Sequence, residues 1–171
     1  NNNINENILS WNIISVPSSE FGKNHPLYES WMKKKKTQDE NEGMEAFYKS
    51  AGFYAEYSKI LCISACYLHK GKIRCTLFTG EEKDVIDKFI LACESFIALK
   101  GSIVSAGHNI MQHSVPYLRK RYGHYYPMFD FPKYLSDLEE KPWTISSKVW
   151  DIMTINAGVG ESYASLEELA Y

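Results

Sequence analysis

The sequence predicts a mixed α/β fold in a single domain, and two observations support this. Its 171 residues are 44% hydrophobic and 14% aromatic, a composition that suits one globular domain with a substantial core. Short β-branched runs and stretches of helical periodicity follow one another in the order strand, hairpin, helix, strand, helix. That order is typical of mixed α/β proteins.

The first predicted strand is Ile8–Val16, which is rich in β-branched residues and ends before a proline. Its mostly apolar run predicts a buried central strand. Two helices are predicted in the polar region that follows, at about Pro26–Lys36 and Glu42–Ala51. Residues 1–7 are rich in Asn, and we expect them to form a disordered lead-in. The predicted domain is therefore 8–171.

A β-hairpin is predicted next, because Lys59–Leu68 and Ile73–Thr79 are strand-like runs separated by a short turn that contains Gly71. A long helix follows and should end at Gly101. The apolar residues of this helix recur at helical spacing and form one face: Val85, Ile86, Phe89, Ile90, Cys93 and Ile97.

The remaining predicted elements are a strand at Ser102–Ala106, a helix near Ser114–Tyr122 and a helix around Val149–Ile155. The stretch Gly123–Trp143 is rich in aromatic residues, Pro and Asp, which predicts an irregular connection. A capping box at Ser165-Leu166-Glu167-Glu168 predicts one more helix.

The four cysteines are Cys62, Cys66, Cys75 and Cys93; none forms a C-x-x-C pair, and three lie in apolar runs. This pattern predicts free thiols in a reducing compartment, and we expect a cytoplasmic protein. A zinc site that adds His69 is an alternative, but the close-set ligand pairs of such sites are missing. We recognise no signal peptide and no apolar run of about twenty residues, so we expect no membrane partner.

The charge pattern gives little support to a dedicated nucleic-acid-binding protein. The net charge is −2 and the pI is about 6.2, whereas a protein that coats a phosphate backbone is usually basic. Two local basic clusters remain candidates. They are Lys33–Lys36 and the cluster of Arg119, Lys120 and Arg121. For each cluster the alternatives are contact with phosphate and a solvated helix face.

Several short segments keep a common order and spacing along the chain. They are Asn12–Pro17, Lys59–Ser64, Gly107–Arg121, Lys141–Trp143, Trp150–Met153 and Ser165–Ala170. In turn they resemble the D-I-E-T-V-P, K-I-V-C-I-S, G-H-N-x-x-x-F-D-x-P-Y-L-x-x-R, K-P-W, L-D-x-M and S-L-D-x-L-A motifs of one family. That family is the polymerase-B-type 3′→5′ exonucleases of the ribonuclease H-like superfamily.

The resemblance implies a ribonuclease H-like mixed sheet flanked by helices over residues 8–171. The family's last motif, Y-x-x-x-D, would lie beyond Tyr171, so we expect the C-terminal part of the family domain to be absent. The resemblance also implies the family's chemistry, in which two divalent metal ions held by carboxylates hydrolyse a phosphodiester.

Neutral residues stand where the resemblance places the family's metal ligands. Asn12 aligns with the first Asp, Ile14 with the Glu two residues later, and Ser114 with the second Asp. Two neighbouring dications would repel each other without these carboxylates. We therefore expect neither cleavage nor a cofactor, whereas an active chain would require Mg²⁺ or Mn²⁺. Ile14 suits a buried strand, and Ser114 suits the N-cap of a helix with Pro116 in its first turn.

Three other motif residues have two interpretations each. Asp151 is the retained acidic metal candidate, and it either binds an ion or caps the following helix. His108 and Asn109 either line the former substrate groove and bind nucleic acid, or they shape the turn between strand and helix. Asn tolerates the unusual backbone angles of such a turn.

These patterns favour a catalytically inactive domain that serves as a nucleic-acid-binding or structural module, with single-stranded nucleic acid or a protein as its partner. The second hypothesis is an active metal-dependent 3′→5′ exonuclease acting on single-stranded DNA ends. The third is an architectural subunit of a larger assembly, in which the aromatic segment Tyr122–Trp143 is a contact surface.

Overall fold

The computed structural model of the protein describes residues 6–136 and 148–157. Its strands are β1 (Ile8–Pro17), β2 (Ser58–His69), β3 (Lys72–Thr79), β4 (Val104–Gly107) and β5 (Val149–Asp151). They form one sheet in the order β3-β2-β1-β4-β5. β2 is antiparallel to β1 and β3, whereas β1, β4 and β5 run parallel. The protein therefore has a five-stranded mixed sheet, and the helices pack around it.

The helices are α1 (Tyr28–Lys35), α2 (Glu40–Ser50), α3 (Glu82–Lys100), α4 (Val115–Tyr125), α5 (Lys133–Ser136) and α6 (Ile152–Ala157). Those predicted at the positions of α1, α2, α3 and α4 are confirmed with small shifts at their ends. Gly101 ends α3 as expected, because it adopts a left-handed conformation with φ of 79° that costs glycine no steric strain. Within residues 6–136 and 148–157, none of the helices has the combination of length and apolar side chains that a membrane span requires.

β1 lies at the centre of the sheet, but only alternate side chains are buried. Leu9, Trp11 and Ile13 point into the main core, where the Trp11 ring lies 5.0 Å from the ring of Phe89 on α3. Ile14 lies on the opposite face and is 50% exposed. The prediction of a central strand is confirmed, and the prediction that Ile14 is buried is wrong. The physical reason is the period of two in a strand, since α3 covers β1 from one side.

The segment between β1 and β2 forms a smaller second core. α1 and α2 meet around Trp31 and Phe47, which are both fully buried, and the ring of Phe21 stacks on that of Phe47 at 3.8 Å. The indole N–H of Trp31 donates to the backbone carbonyl of Gly43 at 2.9 Å. This aromatic core fixes the two helices beside the carboxyl end of β1.

The second half of the chain departs from the predictions at two places. A helix was predicted from Val149, but Val149–Asp151 forms β5 because it pairs with Ser105–Gly107 of β4, and α6 begins only at Ile152. The stretch predicted to be irregular contains the short helix α5. The predicted helix at Ser165 and the segment Lys141–Trp143 lie outside the described residues.

The predicted disordered lead-in is described only at its last two residues. The Glu6 carboxylate pairs with Lys100 at 2.7 Å, and the side-chain amide of Asn7 donates to the Ser102 hydroxyl at 2.8 Å. These contacts attach the start of the described chain to the end of α3.

Glu82 joins three elements through one buried carboxylate. The carboxylate accepts hydrogen bonds from the Arg121 guanidinium of α4, the backbone N–H of Ile60 in β2 and the hydroxyl of Tyr125. Burial alone would raise the pKa of Glu82, but the hydrogen bonds from Arg121, Ile60 and Tyr125 outweigh it and lower the pKa below 4.5. Arg121 also donates to the carbonyl of Ala55 at 3.0 Å.

We predict that Glu82→Gln destabilises the protein by about 3–5 kcal/mol, because removing one partner of a buried ion pair leaves the other charge uncompensated. Urea unfolding at pH 7 measures this free energy. Glu56→Gln is the matched control, since Glu56 pairs with Lys120 at the surface and its loss should cost only about 0–1 kcal/mol. Equal effects of the two substitutions would contradict the prediction.

The pH dependence of the same pair has a definite sign. The folded-state pKa of Glu82 lies below its ordinary value of 4.5, so its contribution to stability is complete above that pH and is lost as the pH falls through the folded-state value. We expect the difference in unfolding free energy between the wild type and Glu82→Gln to shrink at acid pH. Urea unfolding at several pH values checks this, and a difference that grows on acidification would refute it.

Candidate functional site

The order in which the chain adds strands to the sheet reverses between β1 and β4. The chain leaves β1 towards β2 and β3 and returns through α3 to β4, which lies on the other side of β1. β4 pairs only with residues Ile8–Ser10 of β1, so the rest of β1 extends beyond it. In open α/β sheets, ligands bind at the carboxyl ends of the strands where the order reverses. This end of β1 is therefore the candidate site.

The turn after β4 closes one side of this site. A Cβ atom on Gly107 would lie 2.7 Å from the backbone carbonyl of Trp11, so only glycine allows the turn to approach β1 so closely. Asn109 follows in a left-handed conformation with φ of 53°. This angle is the one that the turn-shaping interpretation of Asn109 requires, whereas binding of nucleic acid by His108 and Asn109 stays a prediction.

Asp151 fixes the same turn from the adjacent strand. Its side chain is buried, and it accepts hydrogen bonds from the backbone N–H groups of Asn109 at 2.9 Å and of Met111 and Met153 at 3.1 Å each. The bond from Met153 confirms the predicted cap of α6. Among the described residues, no group of three or more His, Cys, Asp or Glu side chains lies close enough together to hold a metal ion.

A π-helical turn, Ile110–Ser114, runs directly into α4 and packs beside β1. Ser114 has helical backbone angles and makes no capping hydrogen bond with its side chain, so the prediction that Ser114 caps α4 is wrong. The reason is that the helix starts earlier: the N–H groups of His113 and Ser114 already donate to the carbonyl of Asn109. Wide helical turns of this type are often found at functional sites.

Four polar atoms in this segment are buried and have no hydrogen-bond partner among the described residues: His108 Nδ1, Asn109 Oδ1, His113 Nε2 and Ser114 Oγ. Buried polar groups are nearly always satisfied by protein, water or ligand. Burial also lowers the pKa of His113 below 6.5, so its ring is neutral at pH 7 and can accept as well as donate. This segment therefore has hydrogen-bonding capacity that no other described residue uses.

The three positions where the sequence predicted lost metal ligands lie around this end of β1. Asn12 and Ile14 point to the same open face of β1 and are exposed, because they are two residues apart on one strand. Ser114 is 1% exposed in the π-helical turn that packs beside β1. None of the three side chains carries a charge.

The basic residues of α4 do not form one patch. Arg119 lies over the Phe131 ring at 5.5 Å, and Lys120 pairs with Glu56 at the surface. Arg121 is 14% exposed at its side chain and is bound to Glu82. Both alternatives given for Arg121 are therefore wrong, because its guanidinium is neither solvated nor free to contact phosphate. Binding of nucleic acid by Arg119 and Lys120 stays a prediction.

The basic run of α1 is divided in the same way. Lys34 lies over the Tyr54 ring at 4.0 Å and Lys35 over the Trp31 ring at 4.7 Å, which is the geometry of cation–π contacts. Lys33 and Lys36 line an open cavity of about 750 Å³ beside α1. The two middle lysines thus cover the small aromatic core.

The cysteine prediction is partly wrong. Cys66 and Cys75 face each other across β2 and β3 and form a disulfide, whereas Cys62 and Cys93 are free and buried. The sequence did not reveal this pair because its members are adjacent only through the register of the hairpin. The cytoplasmic location stays a prediction.

His113 is the residue at this site that the sequence analysis overlooked. The only signal was a polar residue at the position where the resembling motif has Phe. In the structure its ring lies 6.4 Å from the exposed ring of Phe53 and 5.4 Å from that of Tyr117.

No protein-family model matches this chain, and no curated protein matches it either.

We predict that Asp151→Ala loosens the turn after β4, because the buried N–H groups of Asn109 and Met111 lose their acceptor. Each unsatisfied group costs about 1–3 kcal/mol. Hydrogen exchange monitored by NMR should show faster exchange at these two amides. Asp130→Ala is the control, since Asp130 is exposed. Unchanged exchange at both amides would disprove the role assigned to Asp151.

Proposed function

We propose that this chain is a ribonuclease H-like domain of the polymerase-B-type exonuclease kind that has lost its metal site, and that it binds single-stranded nucleic acid without cutting it. The observation that carries the proposal is the neutral character of Asn12, Ile14 and Ser114 around the carboxyl end of β1. These are the positions at which the motif resemblance requires carboxylates.

The sheet supports the fold part of the proposal. Its order is β3-β2-β1-β4-β5 with only β2 antiparallel to the others, which is the arrangement expected of a ribonuclease H-like domain. The motif positions also fall where such a domain would need them, since the first motif lies on the central strand and the G-H-N motif follows β4. Both motifs border the point at which the strand order reverses.

The electrostatics of the site support the absence of cleavage. Two divalent ions at close range require several carboxylate oxygens to offset their mutual repulsion. Asn12 and Ser114 offer neutral oxygens, and Ile14 offers none. The carboxylate of Asp151 is already held by three backbone N–H groups. The described side chains around β1 therefore do not provide the set of carboxylate ligands that two metal ions require.

The unused hydrogen-bonding groups support ligand binding at the same place. His108, Asn109 and His113 have buried polar atoms without partners among the described residues, and a nucleotide offers both donors and acceptors. Phe53 is 69% exposed beside His113, and exposed aromatic rings bind single strands by stacking on the bases. The pocket between the two residues has a volume of only about 100 Å³, so a base would stack on the rim.

The first experiment compares the wild type with the triple variant Asn12→Asp, Ile14→Glu and Ser114→Asp. Titration with Mn²⁺ followed by calorimetry should detect no binding to the wild type and measurable binding to the variant, because the variant regains three carboxylates at the motif positions. Circular dichroism of both proteins checks that the variant remains folded. A folded variant that binds no Mn²⁺ would argue against the assignment of the motif positions.

A cleavage assay with a labelled single strand and Mg²⁺ accompanies the titration. We expect no shortening of the strand by the wild type. Shortening that is abolished by chelator and survives a further purification step would overturn the proposal in favour of an active exonuclease.

We predict that Phe53→Ala weakens the binding of a labelled single-stranded oligonucleotide by about tenfold, because base–aromatic stacking contributes about 1–3 kcal/mol per base. Fluorescence anisotropy measures the dissociation constant. Phe129→Ala is the matched control, since Phe129 is also an exposed phenylalanine, at 70%, and lies after α4. Equal affinity of the wild type and both variants would exclude stacking at Phe53.

A further inference from the structure

β3 is an unusually open edge strand. It is eight residues long, contains no proline, and is exposed at every position except Phe78, which packs on the main core. Within the described residues, β2 is its single strand neighbour. A long, exposed edge strand is a template for pairing with another strand. The other edge of the sheet, β5, is only three residues long.

The backbone of β3 is oriented for such pairing. The Cα atoms of Cys66 and Cys75 lie 4.1 Å apart, which is the short spacing of a non-hydrogen-bonded antiparallel pair. The N–H and C=O groups of Cys75 therefore point away from β2. Because this orientation alternates along a strand, those of Ile73 and Leu77 also point to the free edge.

The side chains at this edge are apolar in the middle and oppositely charged at the two ends. Ile73 and Leu77 are 75% and 58% exposed on one face. The exposed basic residues at one end are Lys70, Lys72 and Arg74, and the exposed acidic residues just beyond the other end, at the start of α3, are Glu81 and Asp84. The exposed Lys83 between these two acidic residues is paired with Asp87. An identical strand in the antiparallel direction would place each basic end beside an acidic end, whereas a parallel strand would place like charges together.

We propose that two copies of this chain associate through β3, in antiparallel direction, so that their two sheets become continuous. The contact is isologous, because a two-fold axis relates the copies and each contributes the same residues. Backbone hydrogen bonds from Ile73, Cys75 and Leu77 provide the pairing. The apolar side chains of Ile73 and Leu77 from both copies meet on one face. β2 separates this edge from β1, so the contact leaves the candidate site open.

Sedimentation velocity over a wide range of protein concentration tests the proposal with the full chain. We expect the wild type to show a reversible monomer–dimer equilibrium. Leu77→Lys should raise the dissociation constant by about tenfold or more, since it sets a charged group against the apolar Ile73 of the other copy. Tyr48→Lys is the control, because Tyr48 is 66% exposed on α2 and should leave the equilibrium unchanged. A wild type that stays monomeric throughout would overturn the proposal.

Charge-reversal variants test whether the two copies of β3 pair in the antiparallel direction. The double variant Lys72→Glu and Arg74→Glu has two acidic ends, and the double variant Glu81→Lys and Asp84→Lys has two basic ends. We expect each variant alone to dimerise about tenfold more weakly than the wild type and an equimolar mixture of both to form a heterodimer, because opposite charges then meet at every end. Dimerisation of either variant at wild-type strength would rule out the antiparallel charge arrangement.

Cys75→Ser distinguishes strand pairing from a covalent link, because Cys75 lies at the centre of the contact. We expect this variant to dimerise in the presence of reductant, since the pairing depends on backbone groups. A dimer that forms only without reductant and is lost in Cys75→Ser would be an intermolecular disulfide, and it would overturn the proposed contact.

Discussion

The buried ion pair between Glu82 and Arg121 is the constraint on which the arrangement of the molecule depends. Taking both charges out of water is costly, and the cost is offset only when hydrogen bonds satisfy the remaining groups. Here Ile60, Tyr125 and Ala55 provide those bonds. β2, α3 and α4 are therefore held in one mutual position, and the π-helical turn that begins α4 is held beside β1.

The candidate site combines a well-defined turn with uncharged side chains. Gly107, Asn109 and Asp151 shape the turn after β4 through close approach, a left-handed angle and backbone hydrogen bonds. Asn12 and Ser114 border that turn without a charge. In our proposal the domain can position a single strand of nucleic acid but lacks the carboxylates that would hold the metal ions for cleavage. The β3 edge adds a second contact surface, away from the site.

The sequence was informative where the signal is local. The hairpin, the amphipathic face of α3 and the glycine at its end follow from periodicity and turn chemistry within a few residues. Prediction failed where contacts between residues distant in the sequence determine the secondary structure or the environment of a side chain. Val149–Asp151 becomes a strand only because β4 lies beside it, and Ser114 is no cap because it already lies inside a helical turn that begins at the carbonyl of Asn109. Arg121 looked like a surface cation until Glu82, far away in sequence, was placed next to it.

The sequence by itself determined the mixed α/β class, the positions of most elements and the absence of charge at Asn12, Ile14 and Ser114, since these follow from residue identity and local pattern. Only the tertiary structure decided which of these residues meet and which polar atoms find no partner within residues 6–136 and 148–157. It also decided that Ile14 is half-exposed and that Cys66 bonds to Cys75. The physical reason is that burial, pairing and ion-pair formation depend on residues distant in the chain, which periodicity cannot identify.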